Sequence, residues 1–281
     1  MNALEIKDLT KTFSGFQLNR LSLTLPQGCI MGLIGENGAG KSTTIKLILR
    51  MLKAESGSVH VLGQDALTAP DTIREDIGVV LDVVGIPECL TAEQTGKVMA
   101  GIYKHWEPNT FDKLIRRLDI PKGKRFADMS RGNRMKLGIA VAMSHGAKLL
   151  ILDEATSGLD PVVRDEVVEM LEDFTRDENH SVLLSSHIVS DLERLCDYVA
   201  FLHKGKLLLC EDKDVLLDEY GILRCASAEM DALDRSAVLH RKDSAWGSEA
   251  VVRRDAVPAG TALSPVSVEE LFVHMVKEAQ F

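Results

Sequence analysis

Two hydrophobic periodicities alternate along the first 215 residues of the chain. Short continuous apolar runs, "CIMGLI" (29–34), "KLLILD" (148–153) and "SVLLSS" (181–186), have the character of strands buried on both faces of a parallel sheet, and "DIGVVL" (76–81) is a further candidate strand. Between them the spacing turns helical. "TTIKLILRML" (43–52) reads as an apolar-rich helix, and Phe111, Leu114, Ile115 and Leu118 mark another over 109–120. Thr91 with Gln94 forms a capping-box pattern that opens a helix running to about Tyr103. Asp160 and Pro161 supply an N-cap and a first-turn proline for "PVVRDEVVEMLEDFTRDE" (161–178).

Strict polar–apolar alternation appears elsewhere. "ALEIKDLTKTF" (3–13) reads as a strand at a sheet edge, "LSLTL" (21–25) alternates likewise, and Pro26 to Gly28 turn the chain. Residues 198–211 read as a hairpin turning at Lys204-Gly205. The whole predicts an α/β core with a mostly helical insertion at about 83–145. From 216 the pattern changes to short strands ("GILRCA", "SEAVVRR") and a last helix opened by a Ser267/Glu270 capping box. Residues 216–281 are therefore expected to form a small α+β accessory domain.

Composition narrows the function classes. The chain has 281 residues, room for one large domain or for one domain plus an appendage. Hydrophobic residues make up 45% and charged ones 27%, an ordinary soluble balance. A net charge of −9 argues against a nucleic-acid partner engaged through a broad basic surface. The five cysteines are scattered, which disfavours a disulfide framework or a zinc site and points to a reducing cytoplasm. Glu5 and Asp8 interrupt the N-terminal segment, so no signal peptide is expected there. No run approaches the roughly 18 to 20 apolar residues of a membrane span. Work at a membrane would need spans from another polypeptide.

The chemistry begins at "GENGAGKS" (35–42), which fits G-x-x-x-x-G-K-[ST] between a strand and a helix. Gly38 and Gly40 let the backbone curl so that its N–H groups face phosphate oxygens. Lys41 reaches toward the β/γ-phosphates, and Ser42 offers a hydroxyl to Mg²⁺. Asp153 ends a buried strand, where its carboxylate can hold the hydration shell of the same ion. Glu154 then becomes the candidate general base for an attacking water. His187 ends "SVLLSS" and has two readings, a contact to the γ-phosphate or a surface capping residue. Asp160 is equally divided between helix cap and nucleotide contact. In "MSRGN" (129–133), Ser130 is placed to cap the helix that follows, whose N–H groups suit an anion.

In this order and at these separations, "GENGAGKST", "MSRGN", "LLILDEATSGLDP" and "SSH" resemble the ATP-binding subunit of an ABC transporter, over roughly residues 3–215. The resemblance implies a P-loop NTPase cassette: a RecA-like core, an antiparallel β subdomain and a helical subdomain. It implies a Walker A loop of Gly35, Glu36, Asn37, Gly38, Ala39, Gly40, Lys41, Ser42 and Thr43, with Lys41, Glu154 and His187 serving catalysis. Ser130 and Gly132 of the signature turn and Asp160 of the D-loop would contact nucleotide, and Phe13 falls where the family stacks adenine, although a packing role suits it as well. Ser42, Asp82 and Asp153 would serve Mg²⁺.

The family sandwiches two MgATP between head-to-tail cassettes, as homodimers or heterodimers. Here an integral membrane permease subunit would hold them at the cytoplasmic face of the cell membrane. The likeness is to exporter subunits for peptides, antibiotics, toxins or other drugs, including a subgroup associated with GntR-type regulators. A soluble ATPase of the same class, acting in translation or DNA maintenance, is the alternative; a P-loop kinase would lack the signature turn. Two positions depart from the family pattern. Asp82 stands where a glutamine is usual, and Arg131 where a glycine is usual. Arg131 and Arg134 are open to two readings, a phosphate contact or a solvated charge.

Overall fold

The computed structural model describes residues 1–66, 68, 71–245, 247–258 and 260–279. Strands β1 (Asn2–Phe13) and β2 (Phe16–Pro26) form a long hairpin, followed by β3 (Ile30–Gly35), helix α1 (Lys41–Ile48), β4 (Ser56–Val61), the short β5 (Gln64–Asp65) and β6 (Ile77–Val80). The helical insertion supplies α2 (Ala92–Ile102), α3 (Pro108–Arg117) and α4 (Arg131–Ala142). Then come β7 (Leu149–Asp153), α5 (Pro161–Thr175), β8 (Ser181–Ser186), α6 (Val189–Leu195), β9 (Tyr198–His203) and β10 (Lys206–Asp212). The chain closes with α7 (Lys213–Glu219), β11 (Tyr220–Cys225), α8 (Ser227–Asp231), β12 (Val238–Ser244), β13 (Gly247–Arg253) and α9 (Val268–Glu278).

The central sheet runs β10-β9-β3-β8-β7-β6, parallel except for β10 at its edge. β3 lies between β8 and β9, and every one of its residues is buried, which accounts for its unbroken apolar run. A second sheet, β2-β1-β4-β5, is antiparallel. Here an expectation from sequence is overturned: β1 is interior, paired on one side with β2 and on the other with β4. Alternation reports one buried face, carried by Leu4, Ile6 and Leu9, and says nothing of how many strands flank it.

A second correction concerns α1. The apolar run predicts helix to 52, but the helix stops at Ile48. Arg50 turns left-handed at φ 58°, and the Met51 amide closes on the Lys46 carbonyl at 2.8 Å while the Arg50 amide bonds Leu47 O at 3.1 Å. This is a Schellman-type stop in which an arginine takes the place usual for glycine.

The capping boxes at Thr91/Gln94 and Ser267/Glu270 and the Asp160–Pro161 start form as their spacing predicts. α4 lies against β6 because Gly78 has no side chain: a Cβ there would stand 2.5 Å from the Ala142 carbonyl oxygen. The third sheet, β11-β13-β12, is antiparallel, with α9 beside β12 and α6. Val268, Leu271, Phe272 and Val276 of α9 join the same hydrophobic core as Leu192 and Leu195 of α6. Phe272 meets Phe201 of β9 edge-on, ring centroids 5.3 Å apart.

Candidate nucleotide site

The register of the parallel strands gathers the chemistry at one sheet edge. Ile34 stands opposite Ser186 and Asp153 opposite Ser185, so the segments after β3, β7 and β8 all leave at the carboxyl ends of neighbouring strands. Parallel α/β sheets bind ligands there. After β3 the backbone curls through Gly38 (φ 82°) and Gly40 (φ 115°), and Gly40 is the N-cap of α1. A Cβ on Gly40 would lie 3.0 Å from the Phe16 ring, so the loop closes on β2 only with glycine there.

Lys41, nearly buried, folds back over the loop; its Nζ donates to Gly35 O at 2.6 Å and reaches Glu36 O at 3.4 Å. The same ammonium sits 3.3 Å from Glu154 Oε1. The second carboxylate oxygen of Glu154 is 2.6 Å from His187 Nδ1. Lysine, carboxylate and imidazole thus form one line across the mouth of the loop. Glu154 reaches this position from a left-handed residue, φ 54°, held by its amide bonds to Ser185 O (3.1 Å) and Oγ (3.2 Å). A non-glycine residue in that region carries strain, and strain of this kind gathers at functional sites. Ser185 also donates to Asp153 Oδ1 at 2.6 Å, fixing that buried carboxylate at the strand end.

Of these groups Lys41 and Glu154 open on a cleft of 560 Å³ lined also by Gly15, Phe16, Glu36, Asn37, Gly38, Gly40, Ser42, Thr43 and Asp82; Asp153 and His187 stand outside that lining. A curled backbone, a helix N-terminus and an ammonium suit a polyphosphate. The Ser42 hydroxyl and the Asp82 carboxylate in the cleft, with the Asp153 carboxylate buried at the neighbouring strand end, are the hard oxygen donors that Mg²⁺ takes, so the donor chemistry fits that ion.

Other expected residues stand apart from the cleft lining. Ser130 caps α4 through the Asn133 amide at 3.3 Å. Gly132 lies near Leu159 and Gly158, and Asp160 caps α5 through the Val163 amide at 3.2 Å. Phe13 is 39% exposed at the hairpin end, 6.3 Å from the Phe16 ring, and only Phe16 lines the cleft. The signal for Phe16 was present in the "FSGF" turn, where either aromatic could face the loop. His203 was not anticipated either; it is buried at the end of β9 with Nδ1 3.3 Å from Glu36 Oε2, outside hydrogen-bond geometry.

The two arginines separate. Arg134 donates to Phe126 O at 3.0 Å and Ala127 O at 2.6 Å and lies over the Phe126 ring, so it ties down the loop before the turn. Arg131 donates to Asp82 Oδ1 at 2.7 Å.

Comparison with known proteins agrees with this geometry. The profile of the family described as ABC transporter matches residues 18–157. The bacitracin transport ATP-binding protein BcrA of Bacillus licheniformis is 35% identical over 208 residues, 73% of this chain and 68% of that protein. The chain belongs to the ABC transporter ATP-binding family. The lantibiotic transport ATP-binding protein SrtF of Streptococcus pyogenes is 33% identical over 216 residues, 75% of this chain and 91% of its own length. A solved ATP-binding subunit of an ABC transporter superposes with a TM-score of 0.70 at 29% identity, covering 76% of this chain and 91% of that one. The cassette is accordingly a P-loop NTPase and the ATP-hydrolysing subunit of a transporter. Among the described residues no helix is long and apolar enough to cross a membrane.

Proposed function

We propose that this cassette powers a bacterial exporter of peptides, antibiotics or related toxins through a separate integral membrane permease, at the cytoplasmic face of the membrane. The observation that carries the ATPase part is the line Lys41–Glu154–His187 across the mouth of the phosphate loop. Lys41 holds the β/γ-phosphates, Glu154 accepts the proton of the attacking water, and His187 holds Glu154 in place and meets the γ-phosphate. Ser42, Asp82 and Asp153 serve Mg²⁺, which supplies charge neutralisation to the phosphates when bound. Ser130, Gly132 and Asp160, set away from the phosphate cleft of their own chain, face the nucleotide of a second cassette in a head-to-tail dimer. Phe13 or Phe16 stacks on adenine, and residues 216–281 act as an accessory domain.

The export reading is supported by the likeness to proteins named for bacitracin and lantibiotic transport. Affinity purification of the tagged chain from detergent-solubilised membranes tests it. A stoichiometric polytopic membrane protein is expected alongside ATP hydrolysis, and deletion of the gene should sensitise the host to such peptides. Recovery with ribosomes or DNA, and none with membranes, would establish the soluble alternative instead.

A further inference from the structure

The two positions at which this cassette departs from its family's motifs carry opposite charges and touch. Arg131 begins α4, Asp82 follows β6, and they are 49 residues apart, yet their side chains meet at 2.7 Å. The stem of Arg131 also lies over Gly158: a Cβ there would stand 3.6 Å from Arg131 Cδ and Nε. One side chain thus joins the signature turn, the segment after β6 and the loop before α5.

Asp82 is also shared between two clefts. It lines the phosphate cleft with Ser42 and Glu154, and it lines a neighbouring cleft of 510 Å³ with Arg131, Arg134 and Met135. Its single negative charge cannot fully serve a divalent cation on one side and a guanidinium on the other, because the two cations repel. Both partners are more than half exposed, 60% for Arg131 and 53% for Asp82, so the ion pair is weak and readily exchanged.

We propose that Asp82 holds Arg131 in cis and gives it up when the phosphate cleft takes MgATP. The exchange sets the magnesium requirement of the cleft and frees the guanidinium for the phosphate of the facing cassette. The proposal rests on the reading of the cleft as an MgATP site. It assigns the signature turn a role in nucleotide binding by its own chain, in addition to the role it plays across the dimer.

A fluorescent ATP analogue titrated with MgCl₂, at protein concentrations that keep the full chain monomeric, tests the first half. Arg131→Ala is expected to lower the magnesium midpoint by about two- to five-fold, the range an exposed ion pair commands. Asp82→Asn is expected to raise it, and Arg131→Ala added to Asp82→Asn to change nothing further. An Arg131→Ala midpoint equal to or above that of the unsubstituted chain overturns the exchange while leaving the MgATP site standing. Absence of magnesium-dependent binding in the unsubstituted chain overturns both. The second half is read by light scattering of the Glu154→Gln dimer in saturating MgATP. Arg131→Ala should weaken that dimer about ten-fold or more and Arg131→Lys should recover part of it; an unweakened dimer refutes release of Arg131 to the facing site.

Discussion

Replacing Glu154 by glutamine keeps the shape of the side chain and removes its basicity, and the surroundings of Glu154 say what each change does. The Gln oxygen can still accept from Lys41 Nζ, 3.3 Å away, and the amide can donate to a neutral His187 ring at the 2.6 Å contact. Folding should therefore be nearly untouched, with a stability change within about 1 kcal/mol. Catalysis should not survive. A positioned general base contributes about 10²- to 10⁴-fold, or roughly 3 to 5 kcal/mol of barrier. Neither neighbouring group replaces it: Asp153 is buried and already accepts from Ser185, and His187 touches the substituted group.

The substitution also removes one negative charge from a nearly buried position beside the phosphates, so bound ATP should be retained. Phosphate release under saturating MgATP, with light scattering and thermal denaturation on the same preparation, separates these effects. The expected result is a folded chain that binds MgATP, accumulates as an ATP-bound dimer and turns over at least 100-fold more slowly, the lower bound for loss of a general base. A folded variant turning over within about ten-fold of the unsubstituted chain would refute Glu154 as the base, since that loss is below the range for such a group.

Two further predictions concern the scaffold. Gly205, at φ 76°, turns the β9–β10 hairpin, bonds Ala39 O of the phosphate loop through its amide, and would place a Cβ 1.8 Å from the Gln17 carbonyl oxygen. Gly205→Ala should cost about 2 to 6 kcal/mol from strain and overpacking together, seen as a melting temperature at least about 5 °C lower; an unchanged melting curve would contradict the packing described. His145 is stacked on Tyr103 with ring centroids 4.0 Å apart, and burial holds its pKa below the ordinary 6.5 despite the contact of its Nδ1 with Glu75 O. The unfolded chain therefore takes up a proton near pH 6.5 that the folded chain refuses. This contribution to stability is present above that pH and is lost as pH falls toward the folded value. Urea unfolding at pH 7.5 and about pH 5.5 should show a smaller acid loss for His145→Phe than for the unsubstituted chain, with part of the loss remaining because burial also lowers His274. Equal acid losses would count against it.

Most of the fold was legible because buried parallel strands announce themselves: β3, β7 and β8 each carry a continuous apolar stretch, and each is buried throughout. The capping boxes were equally readable, being local chemistry between residues three apart. What was not legible depended on partners distant in sequence. β4, "SGSVHV", has too few apolar residues to stand out and exists as a strand because β1 offers it a hydrogen-bonding edge. β12, "VLHRKDS", is polar and only partly buried, and it is held by β13 on one side. The early end of α1 follows from a left-handed arginine, a conformation with no sequence signature.

The site divides along the same line. The phosphate loop, Asp153 and Glu154 are contiguous with the strands that present them, so motif and geometry coincide. Asp82 and Arg131 are different, since each alone is an unfavourable replacement. A carboxylate at the mouth of a phosphate cleft adds repulsion, and a guanidinium in a turn built for backbone contacts adds bulk. Only the tertiary contact makes sense of both: each neutralises the other, and under the exchange proposed above each acquires an opposite partner when phosphate and a divalent cation arrive. Because the pair is exposed, its own free energy is small, about 0 to 1 kcal/mol. It therefore cannot be a device for stability. A weak contact at the junction of the signature turn and the phosphate cleft suits a different task, making the turn sensitive to whether its own nucleotide site is filled.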